Sequence, residues 1–499
     1  MVRVRVDWRS SCSFVGTILK WLSVPLCLPA VVALLYAEPL VPFAVTIAVT
    51  FVLGLGLENL TEERTLGHRE AFLMVALTWF SIALIGAIPF VTAGRGAVAY
   101  PVNALFESTS GITTTGATVI TDFEIHAQSI MLWRQLIQWL GGLGILVLAT
   151  AVLSELGVGG AQLMETETRT RDVHKLTPRI EETARLLSSL YVGLTVLQMA
   201  LFYGLHHAGF APNMTLFDAV AHPLTTVSTS GFSPQPLSIG AFSPAIQWVT
   251  IPFMALGATS FILLYFTLQG DTSRLRQSEE FRFYVSLLAL FTIVVSILLV
   301  NDPDFDGTIE ATLRHAAFQV VSIMTTTGYA TVDFNVWSAA AKHMLFICMF
   351  IGGMAGSTTC SIKTLRWLVV IKAFRRDLFT ATHPSVIRPV WLSGDAVDEE
   401  SVRSIYAYTL ISLVIFAAAT VFLVLDASRV GPDIGEFDAM GAAAATFLNI
   451  GPGFGVAGPF GSYEPFSDSA KLAMVVLMWV GRIEILPVLV LLTPAYWRT

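Results

Sequence analysis

The 499-residue chain is 54% hydrophobic and only 13% charged, with a mean hydropathy of +0.69. A soluble domain carries about a quarter charged residues, so this composition excludes an ordinary water-soluble enzyme and describes a polytopic membrane protein. The net charge of −7 says little about partners, because acids such as Asp302, Asp304 and Asp306 gather on one side of the membrane and bases on the other.

The first apolar stretch, from about Phe14 to Tyr36, follows Arg3, Arg5 and Arg9 in the manner of a secretory signal. Lys20, Pro25 and Pro29 interrupt it, no small-x-small cleavage site stands out, and further spans follow, so it reads as a retained helix. Runs able to cross about 30 Å of hydrocarbon with roughly 20 residues number ten. They centre near Leu26, Ala48, Ser81, Gly141, Val196, Ala255, Phe291, Gly352, Phe416 and Met478. Arg169, Arg171, Lys175, Arg179 and Arg185 follow the fourth span. Arg274, Arg276 and Arg282 follow the sixth, and Lys372, Arg375, Arg376, Arg388 and Arg403 the eighth; Arg95 and Arg429 are among the few on the other side. Even-numbered spans therefore end in the cytoplasm, and both termini lie inside. No cytoplasmic stretch is long enough for a nucleotide-binding domain, and no nucleic-acid partner is expected.

Between spans three and four, five and six, seven and eight, and nine and ten lies another apolar run of about 10 to 14 residues, too short to cross and so a candidate re-entrant segment. Each ends in a polar, glycine-bearing stretch. With the four gaps aligned on Gly116, Gly231, Gly328 and Gly451, an alanine stands twelve residues upstream in every copy: Ala104, Ala219, Ala316 and Ala439. One residue earlier come Asn103, Asp218, His315 and Asp438, suited to starting or capping a short helix. The glycines are preceded by Thr113-Thr114-Thr115, Ser228-Thr229-Ser230, Thr325-Thr326-Thr327 and, most divergent, Leu448-Asn449-Ile450. The chain thus reads as two leading helices (residues 1–60) and four units of helix, short helix, glycine loop and helix, over 61–160, 161–275, 276–380 and 381–499. The fold class is all-α, with the units arranged around one central ion pore.

This pattern suits ion chemistry. An alkali cation crossing a low-dielectric slab must exchange its water shell for protein oxygens, and backbone carbonyls from four similar loops can supply them around one axis. Glycine gives the required backbone angles cheaply. Short helices whose C-terminal ends point at the axis add a partial negative charge there. A single Thr-Thr-Gly would ordinarily be a helix kink or packing contact; four in register call for a shared function.

Two features concern the path beyond the loops. "GGMAGSTTCSIK", Gly352 to Lys363, breaks the eighth span with three glycines and small polar residues, and could unwind into a gate; close helix packing is the alternative. In the tenth span, Arg482 and Glu484 sit at a depth where charge is costly unless it faces protein or water. At i and i+2 they do not share a helix face, so Arg482 is expected to project toward the pore, the alternative being an acid on another helix.

Other motifs are weak. "GLG" at Gly54 to Gly56 and "GPGFG" at Gly451 to Gly455 do not join a strand to a helix as a nucleotide loop would. His126, His222 and His343 are isolated, and His206 and His207 read as interfacial. Cys12, Cys27, Cys348 and Cys360 lack metal-ligand spacing and read as packing residues.

The strings "ALFESTSGITTTGATV" (Ala104 to Val119), "RQLIQWLGGLGILVLA" (Arg134 to Ala149), "KLTPRIEETARLL" (Lys175 to Leu187), "GGMAGST" (Gly352 to Thr358), "NIGPGFG" (Asn449 to Gly455) and "GRIEILPVLVLL" (Gly481 to Leu492) make the chain resemble the TrkH branch of the Trk/Ktr/HKT potassium transporter superfamily along nearly its whole length. The resemblance implies a homodimer in the lipid of a bacterial inner membrane, with one potassium pore per subunit. It also implies gating by a cytosolic ring of TrkA-like subunits; NAD and ATP would bind that partner, and no nucleotide this chain. Carried over by position, Thr114, Thr115, Gly116, Thr229, Ser230, Gly231, Thr326, Thr327, Gly328, Asn449, Ile450 and Gly451 would form the potassium-binding filter. Gly352, Gly353, Gly356, Ser357, Thr358, Thr359, Cys360, Ser361 and Lys363 would belong to an intramembrane gating loop faced by Arg482. Relatives with serine at the first filter glycine tend to carry sodium, so Gly116 favours potassium. Many relatives have a glycine triplet where this chain has Thr359, Cys360 and Ser361, which implies a stiffer loop. A proton- or sodium-coupled symporter is a second reading; a membrane-embedded enzyme lacks a catalytic cluster, and a receptor-like scaffold would leave four tuned loops unexplained.

Overall fold

The computed structural model describes residues 6–62, 67–148, 180–302, 305, 307–430 and 434–497. Arg3, Arg5, Arg169, Arg171, Lys175, Arg179, Asp304 and Asp306 lie outside them. The described chain is helical apart from a small antiparallel hairpin, Val390–Leu392 with Asp395–Val397. Among the described residues, seven helical stretches are long and apolar enough to cross a membrane: Trp8–Leu35, Val41–Glu58, Arg69–Ala93, Gln128–Leu148, Glu182–His207, Glu279–Val300 and Glu399–Val430. The other three expected spans are interrupted, which corrects the expectation that the sixth and tenth are continuous. The sixth bends by 106° between Pro244–Gly257 and Phe261–Leu268. The eighth is split into Ala339–Cys348 and Thr364–Thr382, and the tenth into Asp468–Arg482 and Ile485–Leu492. Only the break in the eighth was expected.

The two leading helices cross where Gly16 faces Gly54. A Cβ on Gly16 would lie 2.7 Å from the Gly54 carbonyl oxygen, and one on Gly54 2.6 Å from the Lys20 amide. Lipid offers apolar side chains no reason to leave it, so helices in a bilayer associate by such close backbone contact. Gly54 of the "GLG" string is therefore a crossing residue. Lys20 and Glu58 close the same crossing with an ion pair of 2.5 Å.

The four half-length runs form the expected short helices: Pro101–Ile112, Leu216–Val227, Ile309–Met324 and Glu436–Phe447. Their N-caps are Tyr100, Thr215, Thr308 and Gly435. The polar residues read from sequence as starting or capping groups thus fall inside the helices. Asp218 bonds the Thr215 hydroxyl from the first turn, and Asp438 accepts from the Gly435 amide. Asn103 donates to the Ala97 carbonyl, while His315 lies two turns in, on Thr331.

In three of the four units the helix following the loop returns past the end of its short helix at a glycine. A Cβ on Gly141 would meet the Ile112 carbonyl oxygen at 2.0 Å, one on Gly257 the Val227 oxygen at 3.0 Å, and one on Gly481 the Phe447 oxygen at 2.0 Å. The three acceptors stand four residues before their loop glycines. This close passage brings second helix and loop together, and in the sixth and tenth spans the helix breaks directly afterwards.

Candidate functional site

The short helices end at Thr113, Ser228, Thr325 and Leu448, where the chain turns into four loops of one conformation. Thr114, Thr229, Thr326 and Asn449 have φ of 55°, 51°, 52° and 54°; Gly116, Gly231, Gly328 and Gly451 have φ of 84°, 74°, 81° and 102°. Left-handed conformation thus alternates with ordinary backbone, at a cost of about 1–2 kcal/mol for each residue carrying a Cβ. The amides fold back on their own helix. Those of Thr115 and Gly116 both donate to the Ser110 carbonyl, of Ser230 and Gly231 to Thr225, of Thr327 and Gly328 to Ser322, and of Ile450 and Gly451 to Ala445. With the donors spent inward, most carbonyls stay free. Among the described residues, the oxygens of Thr114, Thr115, Gly116, Thr229, Gly231, Thr326, Thr327, Gly328, Asn449 and Ile450 accept no hydrogen bond. Buried carbonyls in such number need a cation or water.

The loops meet in a closed ring. A Cβ on Gly116 would lie 2.3 Å from the Ser230 oxygen, on Gly231 1.9 Å from Thr327, on Gly328 2.0 Å from Ile450, and on Gly451 2.6 Å from Thr115. Each glycine therefore packs on the carbonyl before the next loop's glycine, in chain order, and the fourth returns to the first. All four glycines line one cavity of about 250 Å³.

Side chains brace the ring. The hydroxyls flanking the left-handed residue pair in three loops: Thr113 with Thr115 at 2.8 Å, Ser228 with Ser230 at 2.5 Å, and Thr325 with Thr327 at 2.7 Å. In the fourth, the Asn449 amide instead reaches Thr115 at 2.8 Å and the Met478 carbonyl at 2.9 Å. Gln138 donates to the Ser230 carbonyl at 2.7 Å and accepts from the Phe232 amide at 3.0 Å. Tyr463 donates to the Gly451 carbonyl at 2.8 Å.

On the side opposite this cavity, the break in the eighth span crosses close beneath the ring. Thr358 Oγ1 lies 3.0 Å from Thr229 Oγ1 and donates to the Gly257 and Val227 carbonyls. The Cys360 amide donates to Thr326 Oγ1 at 3.2 Å. Gly352 and Gly353 sit at the root of the segment, where a Cβ would strike the Cys360 and Ala258 carbonyls at 2.3 and 2.7 Å. Gly356 and Ser361 are left-handed, with φ of 76° and 62°, and Ser357 pairs with Thr359 at 2.7 Å. Arg482, 1% exposed, fastens the segment, donating to the Thr358 carbonyl, Cys360 Sγ and the Gly141 carbonyl, each at 2.9 Å. It thus meets one carbonyl and the thiol of the segment and a carbonyl of the fourth span, and no acid among the described residues. Glu484 instead accepts from Arg366 at 2.8 Å, just past Lys363.

Sequence reasoning passed over several residues at this site. Glu107 and Arg134 form a fully buried ion pair at 2.8 Å, with exposures of 0% and 1%. Both lie in quoted strings, and the rule that intramembrane charge is functional by default would have found them. The glycines at 141, 257 and 481 had a signal too, their similar distance beyond the loop glycines. Gln138 and Tyr463 had none.

Taken together, the fold and site define a multi-pass α-helical transport protein whose four repeated loops converge on one axis. Residues 41–498 match the family model described as TrkH, cation transport protein. The chain is 36% identical over 490 residues to the Trk system potassium uptake protein TrkH of Halomonas elongata, covering 97% of this chain and 98% of that protein. It is 34% identical over 501 residues to the protein of that name from Escherichia coli, covering 99% and 100%. The crystal structure of the potassium transporter TrkH from Vibrio parahaemolyticus superposes with a TM-score of 0.87 at 32% identity, covering 99% of this chain and 100% of that one. The chain belongs to the TrkH family of cation transport proteins, a family of transporters and not of enzymes.

Proposed function

We propose that the protein carries potassium ions into a bacterial cell across its inner membrane, through the ring of four loops acting as a carbonyl selectivity filter. The observation that carries this reading is the cyclic contact of each loop glycine with the next loop's carbonyl, beside ten carbonyls with no other partner among the described residues. A potassium ion shedding its water finds replacement oxygens already held in place, so little reorganisation is needed on entry. A chain of braces from short helix to loop keeps those oxygens from closing on a smaller ion.

The segment from Gly352 to Lys363 acts as the gate, held across the path by Arg482, whose fixed positive charge also raises the barrier to cations. Both termini lie in the cytoplasm, and the protein works as a homodimer in lipid. A TrkA-like cytosolic ring that binds NAD and ATP moves the gating segment from below.

Uptake of radioactive rubidium into proteoliposomes tests the reading. Accumulation driven by membrane potential alone, competed by potassium and not by sodium, is the expected result. Dependence on an imposed proton or sodium gradient would replace the channel with a symporter, and absence of flux would reject the reading.

A further inference from the structure

Beyond the glycines, the four loops are joined in a second ring. Loop two meets loop three through the Gly240 amide and the Ala330 carbonyl at 3.0 Å. Loop three meets loop four through Asn335 and the Gly455 backbone at 2.9 and 3.1 Å. Loop four returns to loop one through the Tyr463 amide and the Thr118 carbonyl at 2.8 Å. These three joints are neutral. The remaining joint, between loops one and two, is made by the Glu107–Arg134 ion pair, beside the neutral bonds of Gln138 to Ser230 and Phe232.

Glu107 Oε2 accepts from the Val119 amide at 2.9 Å and Oε1 from the Thr118 hydroxyl at 2.9 Å, fixing the limb that leaves Gly116. Arg134 Nε donates to Glu107 Oε1 at 2.8 Å, and its Nη1 reaches the Ser233 carbonyl at 3.0 Å, two residues past Gly231. The guanidinium also lies 4.1 Å from the centre of the Phe232 ring. One fork therefore spans both limbs. Nine residues before each loop glycine stand Glu107, His222, Gln319 and Ala442. His222 bonds Ser233 at 2.9 Å and Gln319 bonds Thr331 at 3.3 Å. The same register position thus braces three loops with descending polarity, and the fourth not at all.

We propose that Glu107 and Arg134 are positioning residues that set the spacing of loops one and two and thereby the preference for potassium over sodium. The inference rests on the reading of the ring as a potassium filter. A buried pair is costly to break on one side only, because the surviving charge is stranded, so this joint holds one spacing stiffly where neutral joints would yield. A brace that merely kept the protein folded would leave the ion preference alone.

The test is the ratio of rubidium to sodium flux in proteoliposomes of the full-length protein, normalised to folded protein by gel filtration. Glu107→Gln combined with Arg134→Gln removes both charges, and should lower the ratio by about fivefold or more, the range of coupling through an intermediate group. Arg134→Lys keeps the ion pair, and with it the fold, but cannot also reach Ser233; it should lower the ratio in smaller measure. An unchanged ratio in folded Arg134→Lys, or in the double variant, overturns the inference. A wild-type protein that shows no preference for rubidium would instead overturn the reading on which it rests.

Discussion

What an added methyl group would strike decides how much each loop glycine tolerates. Alanine at Gly231 or Gly328 would bring Cβ to 1.9 or 2.0 Å from a neighbouring carbonyl, at Gly116 to 2.3 Å and at Gly451 to 2.6 Å, and all four residues are left-handed. The loops must part to admit it. Rubidium over sodium selectivity should fall by at least about tenfold at Gly231 and Gly328, less at Gly116 and least at Gly451; an order unrelated to clearance would contradict the ring. Gly116→Ser belongs to the same series. Arg482→Ala removes three hydrogen bonds to the segment and its helix neighbour together with a fixed charge, so basal flux should rise several-fold, and wild-type flux from folded variant would take Arg482 out of the gate.

His126 offers a check on the connection before the fourth span. Burial, helped by the Arg134 and Arg95 charges and opposed by Asp122, pushes its imidazole down to about 4 from an ordinary 6.5. The unfolded chain therefore takes up a proton between these values while the folded chain does not. The stabilising contribution of this neutral histidine is complete above pH 6.5 and is lost progressively as pH falls toward 4. Melting temperatures at pH 7 and pH 4.5 should drop further in the wild type than in His126→Asn; equal drops would contradict the assignment. At this scale little was legible beforehand. The glycines declared themselves, but left-handed Thr114, Thr229 and Thr326 did not, because threonine carries no preference for that conformation and is held there by the ring.

Elements were read more readily. Half-length apolar runs ending in glycine marked all four short helices, since length alone separates a run that crosses from one that turns back. The break in the eighth span was legible from its three glycines. Those after Gly257 and Arg482 were not, because neither carries a run of glycines; the cause is tertiary, the close passage of Gly257 and Gly481 over the short-helix ends. Replacing Thr359, Cys360 and Ser361 with glycine tests the proposed gating role of the Gly352 to Lys363 segment. Ser361 would lose a left-handed strain of about 1 kcal/mol. The change would also remove the Ser361 bond to Met349 and the Cys360 contact with Arg482, each worth about 1 kcal/mol, and would loosen the segment further. Loss outweighs relief, so single-channel recordings should show a higher open probability; a lower one would mean that the strain holds the gate open.

At the scale of the whole molecule, the governing feature is pseudo-symmetry. Four copies with different sequences reach the same backbone conformation and close one ring, and the family places that ring in a cation transport protein. The divergent fourth copy shows how much is backbone: Ile450 replaces a hydroxyl residue, yet Asn449 and Gly451 repeat the left-handed pair. The most direct test is the anomalous scattering of rubidium or thallium in crystals grown with either ion in place of potassium. Peaks on the axis enclosed by Thr114 to Gly116, Thr229 to Gly231, Thr326 to Gly328 and Asn449 to Gly451 are the predicted result. Ion density elsewhere in the molecule, with that axis empty at saturating concentration, would contradict the claim that these loops hold the ion.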